Sequence, residues 1–136
     1  MNQKSLNHDP NIKIYVVCHK PSYVPPNPYL YPIQVGTALA KEALEGMLHD
    51  NEGDNISKKN KSYCELTAQY WAWKNEEADY YGFFHYRRYF SFDSELNRDD
   101  GWGNIAYDRI TEDVIDELRL QPEVMKDLII KYDVIS

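Results

Sequence analysis

No run of apolar residues in this sequence approaches the roughly 20 needed to cross a bilayer. The opening stretch, Met1 to Pro10, is polar and has no apolar segment of the signal-peptide kind. The expected compartment is therefore the cytoplasm, with membrane contact only at its inner face. Positive charge is also scarce: 15 Lys and Arg stand against 22 Asp and Glu, a formal net charge of -7. A nucleic-acid-binding face needs clustered cations to displace phosphate counterions, so nucleic acid is not an expected partner. There are two cysteines, Cys18 and Cys64. They have no metal-ligand spacing and sit among apolar or aromatic neighbours, so both read as buried thiols. A Gly-rich phosphate loop, a nucleophile elbow and zinc-ligand spacing are all missing. No clear Asp-x-Asp follows an apolar strand, and Asp93, Asp99 and Asp100 stand in polar context.

What is present is aromatic. Twelve tyrosines and three tryptophans in 136 residues exceed what a core of this size usually demands. Their flat faces and polar edges suit either a sugar or nucleobase or an aromatic-rich core and rim. With 43% hydrophobic residues the chain can bury a core. One α/β domain is expected over residues 12–136 behind a flexible polar leader, residues 1–11.

Ile12 to Cys18 (IKIYVVC) is an almost unbroken β-branched and aromatic run, as in a strand buried on both faces of a parallel sheet. The next segment, PSYVPPNPYLYP, has five prolines in twelve residues and reads as a loop, neither helix nor central strand. Val35 to Leu48 carries helix formers at helical spacing. HDNEGDNISKKNKS is a loop by composition. Ser62 and Glu65 fit a capping box opening a helix that runs to about Glu77. On that helix Leu66, Tyr70 and Trp73 or Lys74 form one apolar face, and Trp71 begins a second. Tyr80 to Phe92 is a second aromatic strand, or a strand running into a loop. Thr111 caps a short helix, with Glu112 and Asp113 well placed against its dipole. Gln121 to Lys131 is a helix with Pro122 in its first turn, and Tyr132 to Ser136 a last strand. The resulting order is strand, helix, strand, helix, strand.

Three groups of residues carry the chemistry. In Gly82 to Phe90 (GFFHYRRYF) cationic side chains sit between aromatics at a strand end. Strand alternation would aim His85 and Arg87 one way and Tyr86 and Arg88 the other. A guanidinium grips phosphate through paired charged hydrogen bonds, and the alternative is ion pairing with the chain's carboxylates. The polar run Asp50, Asp54, Asn55, Ser57, Lys58, Lys59 and Asn60 offers groups for a ribose or base edge, or is simply solvated. His19 and Lys20 leave the first strand at its carboxyl end, where open α/β sheets bind ligands.

Together IKIYVVCHKP, PIQVG, GDNISKKNKSYCELTAQYWAWKN and GFFHYRRYF resemble the successive motifs of the domain of unknown function 4422 family of bacterial capsular and exopolysaccharide gene products, from about Ile12 to Phe92. The resemblance implies an α/β, type-A glycosyltransferase-like (Rossmann-like) nucleotide-binding sheet flanked by helices. Members of that family usually continue further, so an incomplete carboxyl-terminal part is also implied. The implied activity transfers a sugar from a nucleoside-diphosphate sugar to a growing glycan or lipid-linked glycan. On these motifs, catalysis falls to His85, Arg87 and Arg88. Substrate binding falls to His19, Lys20, Gly36, Asp54, Asn55, Asn60, Trp71, Trp73 and Tyr86. No metal ligand is indicated, and manganese or magnesium is the one cofactor left open. The rival is a non-catalytic module that binds a sugar nucleotide or glycan, or an inactive fragment.

Overall fold

A computed structural model describes residues 9–95 and 101–136. Most of the polar leader, and Asp99 and Asp100, lie outside the described residues. The described chain divides into two compact units, one ending at Tyr89 and the other running from Phe90 to Ser136.

The first unit is built on a parallel sheet in the order β3-β2-β1-β4, with β1 Ile12–Cys18, β2 Leu30–Gln34, β3 Leu48–His49 and β4 Tyr80–His85. Strand β1 has the expected bounds and is flanked on both sides by parallel partners. Tyr15, Val16 and Cys18 are fully buried. That is the environment a continuous β-branched run anticipates, because neither face of the strand meets water.

Strand β2 corrects the reading of the proline segment, for it includes Pro32, which lies opposite Val16 of β1. Ile14 donates to the carbonyl of Tyr29 and Val35 donates to that of Cys18, so the odd-numbered residues of β2 bond to β1. The nitrogen of Pro32 therefore points the other way, towards β3. That strand begins only opposite Ile33, so no ladder bond is lost.

The helix expected over Val35 to Leu48 is also corrected: the segment holds one 3-10 turn, Thr37–Leu39, and then β3. Gly36 (φ 65°) and Gly46 (φ 76°) are left-handed, which ends any continuous helix between them. Buried Gln34 fixes the rest, donating to the Glu42 carbonyl (3.0 Å) and accepting from the Leu44 amide (2.8 Å). The expected alternation of strand and helix accordingly holds only between β3 and β4. A proline-rich loop joins β1 to β2, and a loop with one 3-10 turn joins β2 to β3.

The helical segment before β4 is broken in two: α1 Asn60–Tyr63 and α2 Leu66–Asn75, preceded by a 3-10 turn at Ser57–Lys59. The break is at Cys64, whose φ is 50°. It replaces the Ser62–Glu65 capping box, since Glu65 makes no side-chain cap bond. It also turns Cys64 out to solvent, so only Cys18 is a buried thiol. Burial raises the Cys18 pKa to about 11. The buried face of α2 is Thr67, Ala68, Trp71 and Ala72, not the expected stripe. Leu66 and Trp73 are 50% and 69% exposed. Trp71 and the two alanines pack with Tyr15, Val17, Ile33 and Val35 into the core under one face of the sheet.

In the second unit α3 spans Glu112–Glu117 and α4 spans Pro122–Ile129. Thr111 caps α3 as expected, its hydroxyl accepting from the Val114 amide (3.3 Å). Pro122 stands in the first turn of α4. Phe92, Val114, Leu118, Leu120, Met125 and Ile129 are buried. No strand forms at Tyr132 to Ser136. The second unit offers no strand to pair with among its described residues, and Val134 is 80% exposed.

Candidate functional site

The parallel strands β1, β2 and β4 end on one edge of the sheet, and the residues leaving them share it. Strand β4 stops at His85, where the chain reverses: Arg88 donates to the His85 carbonyl (2.8 Å) and His85 donates back (3.1 Å). Tyr86 is tied to β1 through its amide on the Val17 carbonyl (3.0 Å). The strand alternation expected for residues 85–88 is thus replaced by a turn, and its two-faced arrangement does not form.

The turn instead makes the Tyr86 ring a centre. The His19 ring meets it edge-on with centroids 5.3 Å apart, and the His85 ring lies at 4.4 Å. Lys20 Nζ stands 5.6 Å and the Arg87 guanidinium 5.5 Å from the ring centroid. The π-face of a tyrosine attracts cations, which helps gather them at one point. Arg87 and Arg88 are exposed, and among the described residues neither forms an ion pair. Among the described residues the alternative of structural ion pairing is therefore not realised at either guanidinium group.

Burial lowers the pKa of His85, and the positive charges of Arg87, Arg88 and His19 lower it further, against an opposing pull from Glu65. His85 Nδ1 accepts the Arg87 amide (3.2 Å). The imidazole is therefore neutral at pH 7 and presents Nε2–H as a donor. A depressed pKa means that the stability linked to His85 is present above its unfolded value of 6.5 and lost as pH falls through the folded value. In an NMR titration the His85 ring is expected to titrate below pH 6.5 in the free protein and to move upward when pyrophosphate is added. No movement on adding pyrophosphate would remove the anion from this turn.

On the same edge Gly36 follows β2. Its amide donates to Asp50 Oδ2 (2.8 Å), and the Thr37 amide donates to Asp50 Oδ1 (3.0 Å). Asp50 is fully buried and also accepts from Ser57 Oγ (2.6 Å) and Thr67 Oγ1 (2.7 Å). Asn60 packs on Gly36, and a Cβ built there would lie 2.7 Å from Asn60 Oδ1. The sequence places Asp50 in a polar run open to a ribose or base edge or to solvent, and does not single out Thr67. A carboxylate just beyond the short strand Leu48–His49 carries no signal of burial by itself, because its partners lie 7 to 17 residues away.

The remaining candidates lie elsewhere. Asp54 accepts from Tyr70 OH (2.8 Å), and its carbonyl accepts from Asn75 Nδ2 (2.8 Å). Asn55 is taken up by its own loop, donating to the carbonyls of Asn51 (3.0 Å) and Gly53 (2.8 Å). These bonds fix the loop against the carboxyl-terminal half of α2. Trp71 is in the core, its indole N–H on the Glu52 carbonyl (2.8 Å). Trp73 is on the solvent side, with Lys74 Nζ 3.9 Å from its ring centroid. The structure thus gathers His19, Lys20, His85, Tyr86 and Arg87, pairs Gly36 with Asn60, and leaves Asp54, Asn55, Trp71 and Trp73 outside that cluster. Among the described residues no group of three His, Cys, Asp or Glu side chains is placed to hold a metal ion. Nor is any described helix long and apolar enough to cross a membrane.

A family model described as a domain of unknown function, DUF4422, matches residues 13–136. Among solved structures, the apo form of the bifunctional glycosyltransferase WbbM superposes with a TM-score of 0.82 at 41% sequence identity. The match covers 88% of this chain and 21% of that one, so the chain spans about a fifth of its neighbour's length. No curated protein gives a match. A four-stranded parallel sheet flanked by helices, superposing on a glycosyltransferase, makes the fold α/β of the type-A glycosyltransferase kind.

Proposed function

The chain belongs to the DUF4422 family, and from that premise we propose that it forms the donor-binding part of a glycosyltransferase acting on a nucleoside-diphosphate sugar. The observation that carries this reading is the set of cations around Tyr86 at the carboxyl edge of the sheet, in a chain whose net charge is -7. In the reaction the bond between the anomeric carbon and the diphosphate oxygen breaks, and the diphosphate leaves with the electron pair. A bond forms to an acceptor hydroxyl of a growing capsular or exopolysaccharide glycan, free or lipid-linked, whose proton passes to a base. Lys20, Arg87 and Arg88 counter the charge growing on the leaving diphosphate, and neutral His85 donates a hydrogen bond from Nε2. Preorganised charge of this kind is often the largest catalytic contribution. Gly36 and Asn60 form a wall beside it. Catalysis on the cytoplasmic side of a bacterial membrane, where such donors are made, fits this assignment.

The test is thermal unfolding against a panel of nucleoside diphosphates and their sugars, with and without manganese, on the wild type and on Arg87→Ala and Arg88→Ala. One nucleotide series is expected to raise Tm selectively, because ligand binding stabilises the folded state by mass action. Arg87→Ala should weaken that ligand roughly 10- to 100-fold, the value of a lost charge-assisted bond of about 1.5–3 kcal/mol. A folded wild type that shifts with no member of the panel would sink the donor-binding reading. Release of nucleoside diphosphate in the presence of acceptor separates an enzyme from a binding module.

A further inference from the structure

Three consecutive amides, those of Gly36, Thr37 and Ala38, turn inward where β2 ends. They meet Asp50 Oδ2 (2.8 Å), Asp50 Oδ1 (3.0 Å) and Ser57 Oγ (3.0 Å). Successive backbone N–H groups of this kind make a concavity suited to an anion, and a phosphate is the usual guest. Here the guest is internal. Asp50 is fully buried, and each of its oxygens already accepts two hydrogen bonds, Oδ1 from Thr37 and Ser57, Oδ2 from Gly36 and Thr67. It therefore has no capacity to touch a ligand, and the amides of Gly36 and Thr37 have none for a phosphate.

The network continues outward. Thr67 Oγ1 donates to Asp50 and accepts from Asn60 Nδ2 (3.0 Å), which also donates to the Cys64 carbonyl (2.8 Å). Among the described residues Asn60 Oδ1 receives no hydrogen bond, and it lies against Gly36. Lys20 and Gly36 each stand two residues past the ends of the paired strands β1 and β2. Glu65, the residue before α2, is close enough to His85 for its charge to act there. Asp50 is thus tied to the chain leaving β2, on the edge of the sheet from which Lys20 leaves β1 and where β4 ends at His85.

We infer that Asp50 is a positioning residue of the donor site: it fills the amide concavity after β2 and, through Thr67, orients Asn60 so that Oδ1 faces the edge where Lys20, His85 and Arg87 gather. This rests on the donor-binding reading above. It assigns the diphosphate to side chains alone, and it gives Asn60 Oδ1 to a hydroxyl of the donor.

Asp50→Ala is a poor probe, since it strips partners from two buried amides. Thr67→Val keeps the shape and both amide partners of Asp50 while removing the hydroxyl that joins Asp50 to Asn60, and Thr67→Ser restores that hydroxyl. Isothermal titration with the nucleoside diphosphate that raises Tm should show affinity reduced about tenfold in Thr67→Val and recovered in Thr67→Ser, as for one lost hydrogen bond in a buried network. Equal affinity in a folded Thr67→Val overturns the inference. Hydrogen exchange and NMR without ligand keep the two ideas separate: faster exchange of the Asn60 side-chain amide in Thr67→Val supports the link. Unchanged exchange overturns it, whether or not any nucleotide binds.

Discussion

Trp71→Ala is expected to destabilise the first unit by about 3–5 kcal/mol, the usual cost of emptying a large aromatic site in a core. Trp71 is 6% exposed and meets Tyr15 edge-on with centroids 6.3 Å apart. Tyr15 in turn stacks on Phe83 at 5.5 Å and packs against Tyr31 at 6.0 Å, so the indole closes one side of an aromatic group spanning three strands. The substitution also leaves the Glu52 carbonyl without its indole donor. A loss of this size is a large part of the 5–15 kcal/mol that typically holds a domain together. Trp73→Ala, two residues on and 69% exposed, should stay within about 0.5 kcal/mol of wild type. Urea unfolding of both variants measures the contrast. Similar losses would mean that α2 does not bury the face described, and that the aromatic core is misplaced.

That contrast also marks where sequence pattern runs out. Helical spacing alone allowed the stripe Leu66, Tyr70 and Trp73 to face inward. Small residues decided otherwise, because Ala68 and Ala72 let the helix approach the sheet closely and leave room for Trp71 between them. The chain was legible where one local rule acted without competition: a β-branched run for β1, a threonine cap for α3, a proline in the first turn of α4. It was not legible where a distant residue captured local groups. Asp50 takes the amides of Gly36 and Thr37, and Gln34 takes groups of Glu42 and Leu44, which overrides the helix formers between Val35 and Leu48. Pro32 was read by the general exclusion of proline from sheets. The exclusion applies only where a neighbour wants the missing donor, and β3 is too short to reach it.

The candidate site divides in the same way. His19 and Lys20 were found from position, since they leave β1 at the edge where α/β sheets place ligands. The cluster 85–88 was found from composition, but its geometry was read as a strand when it is a turn. The turn matters chemically, because a strand would have split the cations between two faces. Instead Lys20 and Arg87 stand at nearly equal distances from one ring, 5.6 and 5.5 Å.

Gly36→Ala is expected to cost about 2–5 kcal/mol, from two separable causes. An alanine at φ 65° pays roughly 1–2 kcal/mol for a left-handed backbone. Its Cβ would also come within 2.7 Å of Asn60 Oδ1 and 2.9 Å of Asn60 Cγ, forcing an overpacked side chain to move at about 1–3 kcal/mol. Asn60 cannot yield freely, because Nδ2 is held by both the Cys64 carbonyl and Thr67. A double-mutant cycle with Asn60→Ala separates the causes. Removing the carboxamide relieves the collision and leaves only the backbone penalty. The double variant should therefore be more stable than the sum of the single losses predicts, by on the order of 1–3 kcal/mol. Strict additivity in urea unfolding would mean that Gly36 and Asn60 do not touch. With the expected coupling, any nucleotide affinity lost in Gly36→Ala has a definite origin: Asn60 displaced from the edge while Lys20 and Arg87 remain in place.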